Sequence, residues 1–255
     1  MKNKEITFRS ENLSLRGQLF LPESFKSAGL PALCLCHGIP ARLPEPGDQG
    51  YPLLAQSFCD MGLITMIFNF RGAGLSEGNF DMIGWARDLT AAVDYLWELP
   101  GVDRSRLLVM GFSGGAAAAV YAAAADARIK ALVTCACPAS FSMIEAPEGR
   151  QSFMQQAREV GIFKDPGFPP SEDEWVEHFR EIAPIKWISM ISPRPLLIVH
   201  GDRDELIPLD HARQLYSRAK APKELAVIPG AGHRLRLEDR AMDTARGWIK
   251  EQAGL

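Results

Sequence analysis

Residues 107–125 read LLVMGFSGGAAAAVYAAAA, in which a compact apolar run leads to a serine between glycines and then to an alanine-rich stretch. The apolar run is typical of a buried strand, and the eight alanines favour a closely packed helix. The pattern G-x-S-x-G in this context predicts a tight strand-to-helix turn that presents Ser113 at the carboxyl edge of a sheet. Such a turn crowds the backbone and needs small residues two positions before and after the serine, which Gly111 and Gly115 provide. The alternative is a glycine-rich turn that serves packing alone.

Compact apolar runs recur along the chain and predict parallel strands covered on both faces, at 32–36, 63–70, 107–111, 131–137 and 195–200. Two alternating segments, 6–10 and 13–21, predict an antiparallel pair, and 224–228 predicts a last strand. Helical spacing follows most of these runs, at 51–61, 83–99, 114–125, 209–219 and 239–251. The sequence therefore predicts an α/β fold, with a mostly parallel twisted sheet of about eight strands between helices on both faces.

Residues 139–192 interrupt this alternation, because they contain no strong strand pattern and are rich in prolines and aromatic residues. A structureless loop of that length is uncommon in a compact domain. We therefore expect a single domain over 1–255 with a small helical cap inserted at 139–192, including helices near 152–160 and 172–181. The alternative is an ordinary crossover helix with a long surface loop.

Composition excludes several classes of function. The chain of 255 residues has 28 basic and 31 acidic residues, which gives no support for a nucleic-acid-binding surface. The N-terminal segment lacks the apolar core of a secretory signal, and the longest small-apolar stretch is about half the length of a membrane span. The sequence therefore predicts a cytoplasmic, soluble protein with no membrane partner.

Five cysteines lie within or beside apolar runs, and their odd number argues against a disulfide framework. Two Cys-x-Cys pairs, 34–36 and 135–137, raise the possibility of zinc, but zinc thiolates usually stand two to four residues apart on a turn. Buried structural cysteines are the preferred interpretation. The turn at 111–115 does not match the dinucleotide fingerprint G-x-G-x-x-G, so we expect no cofactor and no metal.

A base that activates Ser113 must lie on a loop at the same edge of the sheet. His233 meets this condition, because it follows the last predicted strand and precedes the final helix. His211 falls within a predicted helix, and His178 lies in the predicted cap without an orienting neighbour in the sequence. His200 ends a strand and is expected to form internal contacts, while His37 stands at the correct edge. His233 is therefore the predicted base.

Five segments together resemble the α/β-hydrolase family over nearly the whole chain. They are GFSGG at 111–115, CHGIP at 36–40, NFRGAGLS at 69–76, HGDRDELIP at 200–208 and PGAGH at 229–233. The resemblance implies a serine hydrolase with nucleophile Ser113 and base His233, in the chain order Ser, Asp, His. It also implies an oxyanion hole formed by the backbone amides of Ile39 and Gly114, with His37 shaping that loop.

The family pattern places the triad acid three residues before an apolar–proline pair, which here is Ile207-Pro208 and points to Asp204. Asp202 competes with it. The aspartate that is not the triad acid is expected to stabilise the loop.

The leading expectation for the activity is a carboxylic ester hydrolase that acts on a small or medium acyl substrate. The predicted cap and the HGIP loop resemble feruloyl-esterase-like and serine-aminopeptidase-like members of the family. A peptidase or acyl-aminoacyl hydrolase would use a charge anchor such as Glu145, Glu148, Glu172 or Asp173. Thioesterase activity is chemically equivalent, and a non-catalytic small-molecule binder is the alternative of a different class.

Aromatic residues at 141–187 suggest an apolar or aromatic acyl group, unless they only pack the cap. An exposed apolar cap could also support a homodimer.

Overall fold

The computed structural model describes residues 2–23, 25, 29–40 and 50–255. Over these residues one sheet contains eight strands in the order β1-β2-β4-β3-β5-β6-β7-β8. The strands are β1 (Lys2–Ser10), β2 (Leu13–Leu21), β3 (Leu30–Cys36), β4 (Ile64–Phe68), β5 (Val102–Phe112), β6 (Ala131–Cys135), β7 (Leu196–Gly201) and β8 (Lys223–Ile228). The predicted α/β fold with about eight strands is confirmed.

Strand direction determines where the loops meet. β1 pairs antiparallel with β2, and β2 pairs antiparallel with β4. From β4 across to β8 every pairing is parallel. The loops that follow β3, β5, β7 and β8 therefore share one edge, which we call the carboxyl edge.

Helices cover both faces of the sheet, and each face has its own buried apolar cluster. One cluster receives α1 (Gly50–Asp60) and α9 (Asp239–Ala253). The other receives α2 (Met82–Glu98), α3 (Gly114–Ala125) and α8 (Leu209–Arg218). No helix in the described part of the chain has the length and apolar character that crossing a membrane requires.

Between β6 and β7 the chain forms four further α-helices, α4 (Ser142–Glu145), α5 (Pro147–Glu159), α6 (Glu172–Ile182) and α7 (Pro184–Trp187), and a short 3-10 helix at Ile188–Met190. We call residues 139–192 the inserted segment. Its helix α6 packs against α2 and α3, and α7 packs against α3 and α8. The helix predicted at 152–160 begins earlier, at Pro147, because proline fits the first turn of a helix, where no backbone N–H is needed.

Several strands differ from their predicted bounds, and for β5 and β6 the physical reason is clear. β5 begins at Val102 instead of 107, and its polar first residues are tolerated because they are largely exposed. β6 ends at Cys135 instead of 137, because Ala136 adopts a left-handed backbone conformation with φ of 50°. This change also separates one cysteine pair. Cys34 and Cys36 face the same apolar cluster, whereas Cys135 and Cys137 face opposite ones.

Candidate active site

Ser113 stands on the turn between β5 and α3, with a strained backbone φ of 52°. Its N–H donates to the carbonyl of Cys135 at 2.8 Å, which fixes the turn against β6. A Cβ at Gly111 would lie 2.6 Å from the Cα of Ala116, and a Cβ at Gly115 would lie 2.1 Å from the carbonyl oxygen of His37. The turn therefore needs glycine at both positions, as the G-x-S-x-G pattern predicts.

Three side chains from separate loops of the carboxyl edge form one hydrogen-bonded series. The Nε2 atom of His233 lies 3.1 Å from Ser113 Oγ, and its Nδ1 atom lies 2.9 Å from Asp204 Oδ2. Because the carboxylate can only accept, Nδ1 carries the proton and Nε2 is free to accept one from the serine hydroxyl. The structure thus brings together the predicted nucleophile, base and acid.

Asp204 is held by more than the imidazole. Its Oδ1 accepts hydrogen bonds from the backbone N–H groups of Leu206 at 3.0 Å and Ile207 at 2.8 Å. Burial opposes ionisation of this carboxyl, but the hydrogen bonds from His233 and Ile207 outweigh burial, and the pKa of Asp204 is lowered. The group is therefore an anion at neutral pH, able to orient and stabilise a protonated His233.

Asp202, the competing acid, has a different contact. Its Oδ1 accepts the backbone N–H of Gly230 at 2.6 Å, and the side chain is exposed. It links the loop after β7 to the loop after β8, which carries His233. This is the loop-stabilising role expected of the aspartate that is not the acid.

His37 fixes the loop that contains Ile39. The N–H of Phe70 donates to His37 Nε2 at 3.2 Å, so the ring proton lies on Nδ1, which donates to the carbonyl of Gly38 at 2.7 Å. The C=O and N–H of a trans peptide point in opposite directions, so the Ile39 N–H is directed away from this ring. Burial lowers the pKa of His37, only partly offset by the Gly38 bond, and this favours the neutral ring that the network requires.

Ile39 and Gly114, the two predicted oxyanion amides, lie beside each other. A Cβ at Gly114 would come within 2.6 Å of Ile39 Cγ1 and 3.7 Å of its backbone nitrogen. Tyr51, which the sequence analysis did not identify, supports the same loop, because its hydroxyl accepts the N–H of Gly38 at 3.3 Å. No sequence motif marks Tyr51, since its contact depends on how α1 packs.

The remaining histidines have partners away from Ser113. His211 Nδ1 accepts the N–H of Ala139 at 2.9 Å, which ties α8 to the start of the inserted segment. The sequence offered no orienting partner for His178, but the structure supplies one: its Nδ1 is hydrogen-bonded to the Asp81 carboxylate. Asp81 also caps α2 by accepting the N–H of Gly84. Asp81 and His178 are 97 residues apart, so no local pattern could reveal the pair.

Some charged side chains of the inserted segment form surface ion pairs, and several of its aromatic side chains are buried. Glu145 pairs with Arg180 at 3.3 Å, and Asp173 pairs with Arg150 at 3.5 Å. Several of the aromatic residues are buried in the apolar cluster shared with α2 and α3, namely Phe141, Phe163, Trp175 and Phe179. These four aromatic residues therefore pack the inserted segment onto the core.

The sheet order and the serine turn after β5 define an α/β hydrolase, as the motif resemblance implied. The chain belongs to a family that the motifs did not single out, the prolyl oligopeptidase family, whose family model matches residues 51–254.

Two similar proteins and two similar structures illustrate this relationship. The uncharacterized protein PA2218 of Pseudomonas aeruginosa is 25% identical over 91% of this chain and 75% of its own length. Polyketide transferase grgF of Penicillium sp is 25% identical over 88% of this chain and 86% of its own length. The crystal structure of GrgF, an alpha/beta hydrolase, superimposes with a TM-score of 0.77 over 100% of both chains at 21% identity. Est1E of Butyrivibrio proteoclasticus, solved with ferulic acid, has a TM-score of 0.75 and 20% identity over 98% of this chain and 100% of its own. At these identities the two solved structures establish a shared fold.

Proposed function

We propose that this hydrolase cleaves a carboxylic ester of a small or medium acyl substrate through an acyl-enzyme intermediate. The observation that carries the proposal is the continuous series from Ser113 Oγ through His233 to Asp204, with distances of 3.1 and 2.9 Å. Such a series is the arrangement that activates a serine hydroxyl.

In this mechanism His233 Nε2 takes the hydroxyl proton while Ser113 Oγ attacks the ester carbonyl carbon. Asp204 stabilises the imidazolium and does not itself take the proton. The tetrahedral intermediate collapses, the alcohol leaves with the proton from His233, and the acyl group stays on Ser113. Water then repeats the cycle, with His233 as base, and releases the acid.

The amides of Ile39 and Gly114 are proposed to stabilise the negative oxygen of both tetrahedral intermediates. One such donor contributes about 3 kcal/mol in comparable sites. The proposal is supported by the contact of the two residues and by the His37 hydrogen bond that fixes the Gly38–Ile39 peptide.

Ester cleavage is preferred to peptide cleavage because the four acids that could anchor a terminal amine are solvated: Glu148, Glu172 and Asp173 are exposed, and Glu145 is half-buried. Glu145 contacts Arg180, and Asp173 contacts Arg150. Peptidase or acyl-aminoacyl hydrolase activity is nevertheless the second candidate function, because the chain belongs to the prolyl oligopeptidase family. Thioester cleavage would use the same groups.

We further propose that the chain is a single domain in which the inserted segment caps the active site. Since the aromatic residues named above are buried, substrate selection is assigned to other side chains of this segment and of the carboxyl edge, such as the exposed Met143 and Leu206. The free, buried state of all five cysteines supports a reducing compartment such as the cytoplasm. The homodimer stays a prediction.

The test combines a covalent probe with a substrate panel. A fluorophosphonate should label the folded protein, and Ser113→Ala should abolish labelling while keeping the same melting temperature within a few degrees. Aryl esters of graded acyl length should then be compared with aminoacyl amides and acyl thioesters. Absence of labelling in the folded wild type would favour a non-catalytic binder, and a strong preference for amides would replace the ester assignment.

A further inference from the structure

His200 is a fully buried histidine directly beneath the loop that carries Asp204. It lies near the end of β7, and its side chain has no exposed surface. Its Nε2 lies 2.8 Å from the carbonyl oxygen of Ile207, which can only accept, so Nε2 carries the ring proton. Nδ1 is buried with no hydrogen-bond partner among the described residues. Among the described residues the ring therefore makes a hydrogen bond at Nε2 and none at Nδ1.

The residue that accepts this bond is also the residue that holds Asp204. Ile207 donates its N–H to Asp204 Oδ1 at 2.8 Å and accepts the His200 proton through its carbonyl. The same Nε2 lies 3.5 Å from Asp204 Oδ2, the oxygen that faces His233. His200 thus closes the turn from 204 to 207 from below, on the side opposite the solvent.

We propose that His200 is a positioning residue for the active site, whose Nε2–H donor holds the 204–207 turn so that Asp204 Oδ2 faces His233 Nδ1. This inference rests on the proposed role of Ser113, His233 and Asp204 in ester cleavage. His200 has no route to a substrate, because it is buried behind Asp204. It therefore acts through Asp204 alone.

The protonation state of the ring agrees with this role. Burial lowers the pKa of His200, although the Ile207 bond and the nearby Asp204 anion partly oppose the shift. A neutral ring with its proton on Nε2 supplies the one donor that the turn needs. The bare Nδ1 contributes nothing to the turn, so a side chain that keeps only the ε donor should preserve the geometry.

The first experiment compares two variants. His200→Met introduces an apolar side chain that has no donor, whereas the amide of His200→Gln retains an N–H donor at a similar distance from the backbone. For His200→Met we expect kcat on an aryl ester to fall up to about 100-fold, as misplacement of a catalytic group does, with KM within about twofold. His200→Gln should recover most of the loss. Thr134→Val on neighbouring β6, which removes a buried hydrogen bond from the Thr134 hydroxyl to the Leu197 carbonyl of β7, should leave kcat within about twofold.

A folded His200→Met with wild-type kcat, or a His200→Gln no better than His200→Met, would overturn the inference. Fluorophosphonate labelling of the wild type distinguishes this failure from failure of the proposed function, since labelling would still succeed. If neither variant folds, the ring nitrogens of the wild type are measured by NMR between pH 7 and 8, where a histidine with a lowered pKa is neutral. His200, assigned through contacts of its ring with buried neighbours, should carry its only ring proton on Nε2 throughout. A proton on Nδ1 would contradict the proposed contact.

Discussion

The carboxyl edge and the inserted segment are each stabilised by a different kind of contact. At the carboxyl edge, Ser113 is strained and glycine positions such as Gly115 have no room for a Cβ. The inserted segment is joined to the core by hydrogen bonds between residues far apart in sequence. The N–H groups of Lys164 and Asp165 donate to Asn79, and the N–H of Phe80 donates to the carbonyl of Ile162. Gly161 and Gly167 of this segment have open space where a Cβ would be. The turn at Ser113 is specified by close backbone packing that leaves room only for glycine, whereas 162–168 of the inserted segment are held by polar contacts to residues distant in sequence.

The largest effect is expected within the carboxyl edge, where two aspartates stand two residues apart. Asp204→Asn should lower kcat by about 10⁴-fold, because an amide no longer favours the productive His233 tautomer. Asp202→Asn should keep activity within about threefold, since an amide oxygen can still accept the Gly230 N–H. The measurement is aryl ester hydrolysis by both purified variants, with their melting temperatures. Equal losses in the two variants would remove the distinction between the acid and the loop-stabilising carboxylate.

A matched pair of glycine substitutions tests the difference between the two regions directly. Gly115→Ala should destabilise the protein by about 1–3 kcal/mol, because its Cβ would lie 2.1 Å from the His37 carbonyl oxygen. Gly167→Ala has open space and an ordinary φ, so it should be neutral or stabilise by up to about 1 kcal/mol. Urea unfolding of both variants measures the difference. A Gly115→Ala protein as stable as the wild type would show that the turn at Ser113 adjusts more freely than its contacts indicate.

The difference between local patterns and contacts of distant residues explains how much of the fold and of the candidate site could be predicted from the sequence. The sheet, the turn at Ser113 and the position of His233 follow from local patterns, because each strand is a compact apolar run and the turn demands small residues. The choice of Asp204 over Asp202 needed the three-dimensional contacts, since both carboxylates lie in one short loop. The support from Tyr51, His200 and the Asp81–His178 pair depends on packing between distant elements, which no local pattern encodes. The left-handed Ala136 that ends β6 carries no signal at all, because alanine rarely adopts that conformation.

Acid should destabilise the protein through three imidazoles, of which His200 is buried and His37 and His211 are half-buried. Burial lowers the pKa of His37, His200 and His211, so the unfolded chain takes up protons near pH 6.5 while the folded chain does not. Stability should therefore be constant from pH 8 to about 7 and should fall as the pH drops below about 6.5. A fully neutral ring contributes at most about 1.4 kcal/mol per pH unit to this fall. The lowered pKa of Asp204 acts separately, since its contribution is complete above about pH 4 and is lost only below it.

Urea unfolding at pH 8, 6.5 and 5.5 measures this dependence. His200→Gln removes one of the three imidazoles and should reduce the fall in stability between pH 6.5 and 5.5. A free energy of unfolding that increases on acidification over this interval would contradict the assignment of neutral buried rings.

The smallest effect is expected where the inserted segment meets the core. The Asn79 side chain accepts the N–H groups of Lys164 at 2.7 Å and Asp165 at 2.9 Å, and it donates to the Asp165 carboxylate at 2.6 Å. These groups are accessible to water, which replaces the lost bonds in Asn79→Ala, so we expect a cost of only about 1 kcal/mol. The substitution should lower the free energy of local opening by this amount, so hydrogen exchange over 162–168 should be accelerated about fivefold. Aryl ester turnover should stay within about twofold.

Gln155→Ala is the matched control, because Gln155 contacts Glu159 within α5 and makes a side-chain bond of similar exposure over only four residues. Its loss should leave exchange at 162–168 unchanged, since it does not connect the inserted segment to the core. If Asn79→Ala instead reduces aryl ester turnover well beyond twofold, then the two regions are coupled, and the geometry around Ser113 depends on the docking of the inserted segment. Unchanged exchange in Asn79→Ala would instead assign the docking to the buried contacts of α6 with α2 and α3, because apolar burial would then hold the segment without the polar contacts at its edge.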